Sequence, residues 1–154
     1  MTVSFQICID CADPDRLARF WASALGYVLE PPPDGYASWD DYWREIGVPE
    51  QDLGIGADRI ADPDGGGPRI WFQVVPEGKT IKNRLHIDIH ASGPDLHAGR
   101  GREIPLEVRR QRVDAEVRRL TGLGATMVTV LYMEGLDHYA VAMRDPEGNE
   151  FDIN

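Results

Sequence analysis

The chain has 154 residues, 16 basic against 26 acidic side chains and a net charge of −10. This balance argues against a nucleic-acid-binding protein, which needs a basic face, and no apolar run approaches the length of a membrane span. The length fits one compact domain built from two modules of roughly 75 residues, each marginal by itself.

Phe5, Ile7 and Ile9 alternate with Gln6, Cys8 and Asp10, which predicts a strand with one apolar and one polar face. Cys8 and Cys11 fall on opposite faces of it, a poor geometry for a disulfide, and are read as reduced. Asp13 offers an N-cap with Pro14 at the first helical position. Leu17, Phe20, Trp21, Ala24 and Leu25 then form one helical stripe, closed by Gly26. A strand is expected at Tyr27-Val28-Leu29. Residues 34–57 read as an insertion in which Ser38 caps a short helix carrying Trp39, Tyr42, Trp43 and Ile46. Trp43 and Ile46 are expected to bury that helix against the sheet. A hairpin follows, with strands near Asp58–Ile60 and Arg69–Val75 around Gly65-Gly66-Gly67. The three glycines join strands and lack the Lys-Ser/Thr ending of a phosphate loop.

Residues 77–83 are polar and read as a linker between module one (about 1–76) and module two (about 84–154). The second module opens with a strand over Arg84–His90. A polar loop runs from Gly93 to about Ile104, and a helix follows with Val113, Val117 and Leu120 on one face. The arginines between Arg100 and Arg119 are expected on a solvated face. Strands are predicted at Thr126–Leu131, Tyr139–Met143 and Glu150–Ile153, the last entered by the turn Asp145-Pro146-Glu147-Gly148-Asn149.

The halves repeat one another. Phe5 to Asp10 matches Leu85 to His90, 80 positions later, and Phe72-Gln73-Val74 recurs as Phe151-Asp152-Ile153, 79 positions later. Both helices end in Leu-Gly, at Leu25-Gly26 and Leu123-Gly124. Such a duplication implies an α+β fold of two tandem βαβββ modules whose corresponding polar positions face one shared cavity.

The arrangement resembles the vicinal-oxygen-chelate superfamily, which includes glyoxalase I, bleomycin-resistance proteins and extradiol dioxygenases. The resemblance is carried by Asp13-Pro14, Phe20-Trp21, Leu25-Gly26, the stretch from Asn83 to Asp88, Leu123-Gly124-Ala125, and the stretch from Asp145 to Phe151. It implies a curved, partly closed mixed sheet around one cavity, and a homodimer. Carried over by position, its metal ligands fall on Gln6, Gln73, His86 and Asp152, and strand parity reaches the same four. Gln6 and His86 fit the glyoxalase pattern. Gln73 replaces a carboxylate with a neutral amide, and Asp152 is one methylene shorter than Glu. A glutamine cannot move a proton, so catalysis would rest on His86 and Asp152. The single formal charge among the four donors weighs toward a metal-free polar cavity, with nickel, zinc, cobalt, manganese or iron as the alternative.

Asp88 is expected to hydrogen-bond within the sheet or to brace His86, and His90 to face solvent or the rim. Trp71, Trp39, Cys8 and Asp10 are the expected ligand contacts. Trp39 belongs to a possible aromatic lid with Tyr36, Tyr42 and Trp43. Extradiol cleavage fits poorly: His138 is misplaced for its second histidine, and Ala142 stands where a tyrosine is expected. No Gly-x-Ser-x-Gly elbow occurs. The implied function is a small-molecule lyase or isomerase. A non-catalytic protein that sequesters a small molecule is the alternative, and a structural partner with a vestigial cavity the third reading. The start at Met1-Thr2-Val3-Ser4-Phe5 lacks a basic leader and apolar signal core, so a cytoplasmic location is expected.

Overall fold

The structure, a computed structural model, describes residues 3–93 and 104–154. The chain divides into two compact units, Met1–Gly78 and Lys79–Asn154. Each carries a four-stranded mixed sheet, and neither sheet closes into a barrel.

The first unit runs β1 (Gln6–Cys11), α1 (Pro14–Leu25), β2 (Val28–Leu29), α2 (Trp39–Glu45), a single 3-10 turn (Glu50–Asp52), β3 (Arg59–Ala61) and β4 (Arg69–Val74). Its strand order is β1-β4-β3-β2, with β1 parallel to β4 and the other pairs antiparallel. The local signals act as expected at α1. The Asp13 carboxylate accepts the Arg16 N–H at 3.1 Å, and Gly26 closes the helix at φ 72°, where a Cβ would be strained. Leu17, Phe20 and Trp21 are buried, as are Ile60, Ile70 and Phe72 on the strands that α1 packs against. Each such side chain contributes about 1.5–3 kcal/mol through burial.

In the second unit β5 (Asp88–Ile89) is followed by α3 (Leu106–Gly122), β6 (Thr126–Tyr132), β7 (Tyr139–Arg144) and β8 (Glu150–Ile153). The order β5-β8-β7-β6 repeats that of the first unit, again with the first strand parallel to the last. Val113 and Leu120 of α3 are buried, together with Val141, Met143, Phe151 and Ile153 of the sheet. The β7–β8 turn is organised by Asp145, itself buried, whose carboxylate accepts the N–H groups of Glu147 at 2.9 Å and Asn149 at 3.0 Å. Among the described residues no helix is long and apolar enough to cross a membrane.

Three expectations change. The strand expected over Arg84–His90 is laddered only at Asp88–Ile89, because β8 has just four residues to pair with and Leu85 is left 88% exposed. The arginine-rich stretch is not wholly solvated. Arg109 is 3% exposed, with Nε bonded to the Ile104 carbonyl at 3.0 Å and its other nitrogens on the backbone and carboxylate of Asp137. It lies one helical turn before Val113, on the buried stripe, and so ties α3 to the β6–β7 hairpin. Arg100 and Arg102, with most of the polar loop from Gly93 to Ile104, lie outside the described residues. Finally, Ser38 caps α2 as expected, accepting the Asp41 N–H at 3.1 Å, but no residue of that helix is fully buried and Ile46 is 54% exposed. Trp39 stacks on Trp43 at 5.3 Å instead, and the Arg59 guanidinium lies 4.4 Å and 5.1 Å from their ring centres.

Candidate functional site

In the second unit, parallel pairing sets Asp88 beside Asp152 and Ile89 beside Ile153. His86 precedes Asp88 by two residues and therefore shares its face. His86 Nδ1 lies 2.9 Å from Asp88 Oδ1 and 3.9 Å from Asp152 Oδ2. One donor atom from each of the three residues falls within 4.8 Å of the others. The Asp88 contact fixes the ring and its tautomer, the bracing role expected of it, and leaves Nε2 as the nitrogen open to a ligand. His90 stands apart from this cluster, with Nδ1 on Asn154 Oδ1 at 2.6 Å.

His86 and Asp152 line an open pocket of about 700 Å³. Its walls are residues 79–82, Thr129 and Leu131 of β6, Ala142 and Arg144 of β7, and Glu150 of β8. The 79–83 segment is fastened by Glu150, whose Oε2 accepts from Lys79 Nζ at 2.9 Å and from the Asn83 N–H at 3.0 Å. These bonds, the Asn83 N–H first, hold the Glu150 carboxyl down at about 2.

In the first unit, the Cys8 thiol donates to Gln73 Oε1 at 3.4 Å. Partial burial, and then the charge of Asp10, push that thiol above its ordinary range, so it stays protonated and neutral. Gln6 is not beside Gln73. It pairs with Arg69, which also reaches its Oε1 at 3.5 Å, whereas Gln73 pairs with Asp10. Four ladder positions separate the two glutamines, roughly 13 Å.

This register corrects the alignment of the halves. Asp152 N–H bonds to the Ile87 carbonyl at 3.0 Å, and Asn154 N–H to that of Ile89 at 2.9 Å. In the first unit, Val75 N–H bonds to the Cys11 carbonyl at 3.0 Å, so Cys11 takes the place of Ile89. Cys8, not Gln6, therefore corresponds to His86, and Asp10 corresponds to Asp88. The sequence carried the signal, since Ile7-Cys8-Ile9-Asp10 and Leu85-His86-Ile87-Asp88 end alike on Ile-Asp.

Trp71 and Trp39 have their N–H groups committed within the unit, to Asp58 Oδ2 at 3.0 Å and to the Glu30 carbonyl at 2.9 Å. Asp58 is a residue that sequence reasoning missed. It is 3% exposed, and its Oδ2 also accepts from Arg59 Nη2 at 2.8 Å. Its Oδ1 and the Arg59 Nε have no hydrogen-bond partner among the described residues. Only the adjacent Arg59 hinted at a buried pair, and adjacency in a strand is a weak sign because neighbours ordinarily point to opposite faces.

Residues 6–154 match the family model described as a glyoxalase-like domain. The chain belongs to the glyoxalase-like domain family. No curated protein matches its sequence. Solved structures of similar fold include a hypothetical protein from S. aureus, with 16% identity, TM-score 0.58 and coverage of 99% of this chain and 93% of that one. A glyoxalase/bleomycin resistance protein/dioxygenase family enzyme from Burkholderia phytofirmans PsJN has 17% identity, TM-score 0.56 and coverage of 97% and 94%. The fosfomycin resistance protein FosX from Listeria monocytogenes, in a mutant complexed with Mn(II) and a dihydroxypropylphosphonic acid, has 11% identity, TM-score 0.58 and coverage of 100% and 92%. At these identities the likeness is one of fold alone.

The donors of this glyoxalase-like protein fit a divalent ion best in its second unit. One imidazole and two carboxylates at His86, Asp88 and Asp152 make a set that first-row metals accept. The carboxylate of Asp88, absent from the ligands expected from sequence, supplies the second negative charge that Gln73 lacks.

Proposed function

We propose that this glyoxalase-like protein is an enzyme acting on a small organic molecule, of lyase or isomerase type, with its reacting centre at His86, Asp88 and Asp152. The observation that carries this reading is the convergence of an imidazole and two carboxylates within 4.8 Å, two of the three residues lining a substrate-sized pocket. Asp88 orients the His86 ring. The Asp152 carboxylate is the group that removes and returns a proton at a substrate carbon. His86 Nε2 binds the substrate oxygen on which charge develops. A divalent ion held by His86, Asp88 and Asp152 would take the place of the His86–Asp88 hydrogen bond, and would supply Lewis-acid polarisation of that oxygen. The match over residues 6–154 supports treating both units as modules of one domain spanning 1–154. Cys8 and Gln73 are then the neutral counterpart of His86 and Asp152, and Gln6 is left outside the ligand set.

The test couples metal content to turnover. Protein purified without chelator should carry close to one divalent ion per chain, and His86→Ala should lose it. Asp152→Asn should abolish turnover of any substrate found in a panel of small carbonyl and hydroxy compounds. If wild type and His86→Ala are equally metal-free after loading with nickel, zinc, cobalt, manganese or iron, the metal-assisted form is wrong. Turnover that survives Asp152→Asn sinks the catalytic assignment.

A second reading is a protein that binds a small molecule without converting it. It is favoured by the neutral Cys8–Gln73 pair and by Trp71, which offers a half-buried ring but no free donor. It predicts a ligand-dependent rise in Tm with no product. For either reading we expect a cytoplasmic homodimer. β6 stands at the edge of its sheet with Met127, Val128, Val130 and Leu131 all exposed, a strand suited to association, and light scattering reads the resulting mass.

A further inference from the structure

The pocket that contains His86 and Asp152 has a second chemistry beside the first. Lys79, Lys82 and Arg144 all line it. Lys79 is committed to Glu150, at 2.9 Å. Arg144 Nε stands 3.8 Å from Glu150 Oε1, too far for a hydrogen bond, and its side chain is 51% exposed. Lys82 is exposed and in no ion pair among the described residues. Arg144 is thus only loosely held by a carboxylate that Lys79 already engages, and Lys82 by none among the described residues, while Glu147, Glu150 and Asp152 line the same pocket.

The register gives the spacing. Arg144 pairs with Glu150, and Ala142 with Asp152, so Arg144 stands two ladder positions from Asp152, roughly 7 Å along the strand. Ala142, beside Asp152, leaves room above the sheet, and Ile81, Val128 and Leu131 add apolar wall. A chain of net charge −10 repels anions in general, so a site that attracts one must do so locally.

We propose that the substrate is an organic oxyanion, a carboxylate or a phosphonate, with an apolar body. Its anionic group sits at Lys82 and Arg144 and its reacting carbon at His86 and Asp152. This rests on the catalytic reading of the same pocket.

The test titrates the full chain at low ionic strength with phenylphosphonate, benzoate and inorganic phosphate, read by calorimetry. The better of the two aryl anions should bind at least about fivefold more tightly than inorganic phosphate, because the apolar wall covers its ring. The preferred aryl anion identifies the acid class. Lys82→Ala and Arg144→Ala should each weaken it by about tenfold, and Arg144→Lys should restore most of the loss. His86→Ala should change it by less than about threefold. An unchanged Tm in the Lys82→Ala/Arg144→Ala double variant shows that the fold is intact. Equal affinity of wild type and that double variant overturns the proposal, as does absence of binding by all three probes at about 10 mM. Binding that depends on both cations, with no turnover of any oxyanion, upholds the anion site and removes the catalytic reading. Turnover of a neutral substrate that both substitutions leave untouched does the reverse.

Discussion

Replacing Glu150 with Gln tests whether one carboxylate fastens the pocket wall. Its Oε2 takes the Asn83 N–H at 3.0 Å and Lys79 Nζ at 2.9 Å, and its carboxyl is lowered from 4.5 to about 2. A shift of that size corresponds to at most about 3 kcal/mol. The Lys79 and Glu150 side chains are 24% and 17% exposed, and solvent screening reduces the contribution to about 1–2 kcal/mol. The folded value is depressed, so the stabilisation is fully present above the unfolded value near 4.5 and is lost as pH falls toward 2. Urea unfolding followed by circular dichroism should find Glu150→Gln less stable than wild type by about 1–2 kcal/mol at pH 7, and the gap should close between pH 4.5 and about 2. Trypsin should also cut faster after Lys79 and Lys82 in the variant, since the segment loses its anchor. A stability gap that stays constant from pH 7 to pH 2.5 refutes the reasoning, because a gap without pH dependence does not come from the ionised carboxylate.

Three further outcomes follow from single contacts. Asp13→Ala removes the α1 cap and should cost about 1 kcal/mol in the same unfolding assay, with Asp13→Asn nearly silent. Arg59→Ala takes the cation from over Trp39 and Trp43 and leaves the buried Asp58 carboxylate with the Trp71 N–H alone. It should cost about 3 kcal/mol and change tryptophan emission, and unaltered emission would show that the stack does not depend on Arg59. Asp88→Asn keeps the shape but drops the charge that orients His86. Divalent-metal affinity, measured by competition with a chromophoric chelator, should fall about 10–100-fold, and an unchanged affinity would rule Asp88 out of the site.

The helices were largely legible in the chain because their determinants are local. Asp13, Pro14, the stripe from Leu17 to Leu25 and Gly26 specify α1 within fourteen consecutive residues, and Ser38 does the same for the start of α2. Strand alternation and the repeated end motifs likewise revealed two βαβββ modules and the face on which His86 and Asp152 lie. What escaped depends on partners far away in sequence. Arg109 looks like one more surface arginine until the Asp137 turn is folded over it. The β5 strand is short because β8, more than 60 positions later, has only four residues to offer it.

The pairing of the halves shows the division most clearly. Side chains alternate with a period of two, so sliding one strand against its copy by two residues leaves every polar group on the polar face. The alternation of Gln6, Cys8 and Asp10 therefore accepts either glutamine or cysteine as the counterpart of His86. The hydrogen bonds at the end of the last strand of each unit remove that ambiguity, joining Asn154 to Ile89 and Val75 to Cys11. Sequence alone determined the modules and the face of the site. Tertiary pairing decided which residues along that face meet, and it brought Cys8 to Gln73 and His86 to Asp88 and Asp152.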